Sequence, residues 1–103
     1  LVKVMYNLVE NSIRHGGGVT EIRISYVDEQ SLLRIIYEDN GSGISADEKE
    51  KVFKRGYGKN TGLGLFLIRE ILSITDITIK ETGTPGKGVR FEMTVPEKYF
   101  RRC

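Results

Sequence analysis

The sequence is poor in the residues that build cross-links. Cysteine occurs once, as Cys103 at the last of 103 positions, which excludes an intrachain disulfide and any cysteine-based metal site. Histidine also occurs once, as His15, so a multi-histidine metal centre is excluded and no nucleophile triad can be assembled around it. No apolar run approaches the ~20 residues of a membrane span. Sixteen Lys plus Arg against fourteen Asp plus Glu leave a net charge of +2, too small an excess to point to nucleic acid or an anionic membrane. A domain in a reducing, cytoplasmic compartment is expected, without membrane contact. What is present suits a single small domain: 11.7 kDa, 39% hydrophobic and 29% charged residues, enough for one core. Leu1 falls inside a helical pattern with no capping residue before it, so a piece of a longer protein is expected.

Residues 1–15 repeat apolar side chains at helical spacing (Leu1, Met5, Leu8; Val2, Val9, Ile13), and Gly16, Gly17 and Gly18 stop the helix. From Glu21 to Val27 the pattern alternates, with Ile22, Ile24 and Tyr26 on one face. Leu33, Ile35 and Tyr37 form a second such face after a polar turn at 28–30, Ile77 and Ile79 start a third strand, and Val89, Phe91, Met93 and Val95 a fourth. A glycine-rich hairpin, 82–88, joins the last two. Hairpin-paired strands with one apolar face predict an antiparallel or mixed sheet covered on one side. Its cover is helix 1–15, a short helix near 46–53, and helix 63–74, whose Leu63–Ile68 run is apolar nearly all round and so predicts deep burial. The fold class is a two-layer α/β (α+β) sandwich, not a doubly wound sheet.

Three clusters carry chemistry. Asn7, Asn11 and Arg14 fall on one narrow stripe of helix 1. Two poor helix formers one turn apart weaken a helix without a packing gain; the stripe is either a solvated face or a place where amide oxygens share a cation beside a positive charge. Asp39 has the parity of Leu33, Ile35 and Tyr37, so its carboxylate points to the covered side, where it needs donors. Gly41 and Gly43 follow it, as in a plain turn or as a wall where something flat approaches the backbone. Last, 58–65 is a glycine-rich turn entering an apolar helix. Thr61 is a simple cap there, or the helix start receives a phosphate.

The order of these clusters is more specific than any one of them. Asn7-x-x-x-Asn11-x-x-Arg14-His15, then Asp39-x-Gly41-x-Gly43, then Phe53, then Gly62-x-Gly64-Leu65 resembles the N, G1, F and G2 boxes of the ATP-binding catalytic domain of sensor histidine kinases. That domain belongs to the GHKL superfamily, which includes DNA gyrase, heat-shock chaperones and mismatch-repair ATPases. The resemblance runs from Asn7 to Pro96 and includes the closing 86–91 element. It implies the GHKL fold, with ATP and Mg²⁺ as ligands. Asn11, assisted by Asn7, would bind the metal, and Arg14 would contact phosphate. His15 would lie near the nucleotide or make a polar core contact. Asp39 would accept the adenine amino hydrogen, Gly41 and Gly43 would floor the base, Gly62 and Gly64 would approach the triphosphate, and Ile44, Thr61, Leu63 and Leu65 would join them in binding ATP. The eighteen residues from Ile44 to Thr61 would form a short lid anchored by Phe53. Gly58 stands where many relatives carry an arginine after the Tyr of the F box, so Lys59 or Arg55 would supply the lid cation.

The resemblance also bears on the reaction. Members that hydrolyse ATP usually carry glutamate where this chain has Asn7, and an amide cannot take a proton from water. Glu10 lies about 60° round the helix from Asn7, a poor substitute. The expected acceptor is a histidine on a separate dimerisation and phosphoacceptor hairpin, with a response-regulator receiver domain downstream. An anti-sigma-type protein-serine kinase and an ATP-gated interaction module that transfers nothing are the alternatives.

Overall fold

The helical spacing of the first fifteen residues produces α1, Val2–His15, which ends as Gly17 and Gly18 take positive φ (72° and 87°). The computed structural model describes residues 2–29, 31–54 and 64–96. Four strands follow the alternating segments: β1, Ile22–Glu29; β2, Leu32–Asp39; β3, Thr78–Glu81; and β4, Arg90–Pro96. They form one antiparallel sheet in the order β1-β2-β4-β3. β1 runs on through Glu29, opposite Leu32, so the hairpin is tighter than the polar run 28–30 predicts. The second helix, α2, spans Gly64–Ser73. In place of one short helix near 46–53 there are two single 3₁₀ turns, Ala46–Glu48 and Lys51–Phe53.

Both helices lie on one face of the sheet, and the core forms between them. Val4 and Leu8 of α1, Ile68 and Leu72 of α2, Tyr37, Ile79, Phe91 and Met93 of the sheet, and Phe53 of the second 3₁₀ turn are buried together. Each such side chain withdraws enough apolar surface to favour folding by about 1.5–3 kcal/mol. The Phe53 ring meets Phe91 edge-on at 6.1 Å, a favoured aromatic geometry.

Two expectations need correction. α2 is not buried all round: Leu65, Ile68 and Leu72 face the core, while Leu67 and Ile71 are exposed and Ile74, just beyond the helix, is 79% exposed. Nor is the apolar face of β1 covered, since Ile24 and Tyr26 are exposed although their partners Tyr37 and Ile35 are not. β1 is one of two edge strands, β3 being the other, and the core of the described residues centres on β2, β4 and the two helices. Alternation shows which side chains share a face, but not whether anything lies over it.

Candidate functional site

The site forms where the C-terminal half of α1, the end of β2 and the β3–β4 hairpin meet. Asp39 closes β2 with the inward parity expected of it, and it is buried. Its donors come from three different elements. Oδ1 accepts from the backbone N–H of Gly41 at 3.0 Å and of Val89 at 3.0 Å. Oδ2 accepts from the Ser12 hydroxyl at 2.7 Å. The backbone reinforces this arrangement, because Asp39 N–H donates to Val89 O at 3.1 Å. The requirement that a buried carboxylate be met by donors is satisfied entirely from within the chain.

Behind Asp39 lies a small polar relay. The Tyr37 hydroxyl is 2.6 Å from Ser12 Oγ and 3.1 Å from Leu8 O. Ser12 has one proton and gives it to Asp39, so the Tyr37 proton is the one left for Ser12 Oγ and Leu8 O. Burial pushes the Tyr37 phenol above the usual tyrosine range, and the Asp39 charge adds to this. Sequence reasoning passes over Ser12 and Tyr37, although Ser12 lies one turn after Leu8 on the buried side of α1, where a hydroxyl needs a partner.

The glycines owe their identity to the chain itself. A Cβ on Gly41 would come within 2.1 Å of Gly16 O, so the Asp39 loop rests directly on the end of α1. Ser42 N–H donates to that same carbonyl at 2.7 Å. A Cβ on Gly88, where φ is +102°, would stand 1.9 Å from Asp39 O. Gly43 is likewise packed, its Cβ position 2.9 Å from Gly88 O. Close packing of loop on loop accounts for glycine at these positions without a flat ligand.

The other expected residues divide into three groups. Asn7 and Asn11 are half-buried on α1, and no hydrogen bond from another described residue holds either amide. Arg14 is exposed and pairs with Glu10 at 3.5 Å. His15 is exposed at the end of α1, which corrects the alternative of a polar core contact. Ile44 is half-buried against the core, and Leu65 is a core residue, so only its backbone can serve a ligand. Gly64 opens α2. Arg55, Lys59, Thr61, Gly62 and Leu63, and with them most of the lid, lie outside the described residues. Phe53 at the lid root is buried as expected, with the Arg69 guanidinium 4.2 Å from its ring centroid.

No cluster of His, Cys, Asp and Glu suited to a metal occurs among the described residues. The unbonded amide oxygens of Asn7 and Asn11 are instead hard, neutral donors. They fit a Mg²⁺ ion that takes most of its ligands from phosphate and water.

This arrangement has known counterparts. The family model for histidine kinase-, DNA gyrase B- and HSP90-like ATPases matches residues 1–99. The chain belongs to this ATPase family. It is 30% identical to the sensor-like histidine kinase SenX3 of Mycolicibacterium smegmatis over 94% of its own length, and spans 28% of that kinase. The ATP binding domain of PrrB from Mycobacterium tuberculosis is 29% identical, with a TM-score of 0.74 over 92% of this chain and 64% of that one. The catalytic domain of histidine kinase ThkA is also 29% identical, with a TM-score of 0.78 over 92% of this chain and 65% of that one. A complex of ThkA with the response regulator TrrA superposes at 0.73, with 27% identity over 92% of this chain and 28% of that one. The four-stranded antiparallel sheet under two helices formed by the described residues of this chain is thus the histidine kinase version of the ATPase fold. No described helix is long and apolar enough to cross a membrane.

Proposed function

We propose that the chain binds Mg-ATP and presents the γ-phosphoryl group to a histidine on a separate phosphoacceptor domain. The observation that carries this reading is the side-chain inventory of the site. α1 offers the two unbonded amides of Asn7 and Asn11. The nearest carboxylate on the helix, Glu10, is paired with Arg14, and Asp39 is held by three donors of its own chain. Amides can orient phosphates and a metal but cannot deprotonate water, so the site supports positioning and electrostatics over hydrolysis. Asp39 would accept the adenine amino hydrogen through the one acceptor site left free, on Oδ2. Asn11, with Asn7 beside it, would hold Mg²⁺, which when bound neutralises charge across the phosphates. Arg14 and His15, exposed at the end of α1, and Lys59 from the lid would face phosphate oxygens, as would the backbone of 61–65.

The acceptor histidine would lie on another domain, because the only histidine of these 103 residues is His15, on the nucleotide helix itself. Relatives of this chain are sensor kinases, and ThkA assembles with a response regulator, which supports a phosphoacceptor domain as direct partner and a receiver domain as the next recipient. The test mixes the protein with its phosphoacceptor hairpin and γ-labelled ATP. The expected product is an acid-labile phosphohistidine on the hairpin, with no label on the chain and little phosphate released by the chain alone. Acid-stable label would point instead to a protein-serine kinase, binding without transfer to an interaction module, and fast release of phosphate to an ATPase.

A further inference from the structure

A second buried carboxylate faces the same hairpin from the opposite strand. Glu81, at the end of β3, has a side chain with 0% exposure. Its Oε2 accepts from the backbone N–H of Gly83 at 3.1 Å and of Arg90 at 3.1 Å, and its Oε1 takes the Lys49 ammonium. Lys49 also donates to Gly83 O at 2.7 Å. Lys49 lies between the two 3₁₀ turns at the lid root. Its neighbour Glu50 reaches the other way, pairing at 3.3 Å with Arg69, which covers Phe53 and donates to Ile79 O at 3.3 Å. Two consecutive side chains of opposite charge thus fasten the lid root to β3, to its hairpin and to α2.

The hairpin so gripped is the one that serves Asp39. Gly83 begins it on the Glu81 side. On the other side Gly86 N–H donates to Ser42 O at 2.8 Å and Val89 N–H donates to Asp39 Oδ1. The geometry points to Lys49 as a positioning residue for nucleotide binding: with Glu81 it sets the hairpin at the height from which Val89 orients the Asp39 carboxylate. This couples the lid root to the adenine end of the site, and it rests on the reading of Asp39 as the adenine acceptor. An ion pair whose carboxylate is buried adds little net stability but is costly to break on one side only, so its effect here is on placement.

The experiment measures the affinity of the protein for a non-hydrolysable ATP analogue in Mg²⁺, its melting temperature, and amide exchange at Gly41 and Val89. Lys49→Met is compared with Lys49→Arg and with the double variant Lys49→Met/Glu81→Gln, which leaves no unpaired buried charge; Asp39→Asn serves as control. Expected for Lys49→Met and the double variant is a roughly tenfold loss of affinity, the equivalent of one or two hydrogen bonds. Exchange at Val89 should be faster while Phe91 and Met93 stay protected, and Lys49→Arg should recover most of the affinity. A double variant that melts and exchanges normally and binds like wild type overturns the positioning role, as does a loss that Lys49→Arg does not repair. If Asp39→Asn itself leaves affinity unchanged, the adenine assignment fails and the inference falls with it.

Discussion

The Ser12 hydroxyl of α1 donates to Asp39 Oδ2 of β2 at 2.7 Å, tying the asparagine-bearing helix to the proposed adenine acceptor through a single hydrogen bond. The turn of helix that carries Asn11 also carries this hydroxyl, so the proposed metal and base ends of the site would share one support. Ser12→Ala removes one of three donors to Asp39 and leaves Tyr37 only Leu8 O. We expect a loss of about 1 kcal/mol in stability and a roughly threefold to tenfold fall in ATP affinity, measured by denaturant melts and calorimetry on the same preparation.

Asp39→Asn should weaken ATP binding by about tenfold to a hundredfold, since a charge-assisted bond is worth roughly 1.5–3 kcal/mol. The structure adds a second effect. An amide has one oxygen, while Asp39 accepts on both, so either Ser12 or the pair Gly41 and Val89 must lose its acceptor. Melting temperature should fall together with affinity, and the informative readout is the ratio of ATP to GTP affinity, which should drop towards one.

Asn11→Ala is the cleaner probe, because no described residue bonds to its amide. Melting should be unchanged or slightly raised, alanine being the better helix former. The gain in ATP affinity on adding Mg²⁺ should largely disappear. Equal Mg²⁺ dependence in wild type and variant would place the metal elsewhere.

Tyr37 makes a pH prediction. Its phenol is held above the usual range by burial, so the folded state favours the neutral form more than the unfolded state does. The stability this provides is complete below the ordinary tyrosine value of roughly 10 and is lost as pH rises through the raised folded value. One of the five tyrosines should titrate late in the ultraviolet difference spectrum. Tyr37→Phe should abolish that late component and flatten the alkaline fall in stability.

Elements with strong periodicity were legible in the sequence: α1, the four strands and, for β2, β3 and β4 but not β1, the covered face. Asp39 was legible too, because strand parity sends every second side chain inward. Glu81 obeys the same parity, two residues after Ile79, and was there to be found by the same reasoning. Ser12 and Tyr37 were not legible as a pair, since twenty-five positions separate them and only the packing of α1 on β2 brings their hydroxyls together. Burial failed as an inference from composition at Leu67, Ile71, Ile24 and Tyr26. An apolar residue states a preference for cover, and geometry decides whether cover exists.

The loop glycines have a consequence for genetics. Gly41 and Gly88 each occupy space that a methyl group would take from a backbone carbonyl, on Gly16 and on Asp39 respectively. Alanine at either position would be selected against through protein abundance, because a chain that cannot seat its loops is cleared by proteolysis before it meets a nucleotide. Alanine at Asn11 would accumulate as folded, inactive protein. In a mutational library, immunoblot intensity would separate the two kinds of defect, though both would score as loss of the proposed kinase activity.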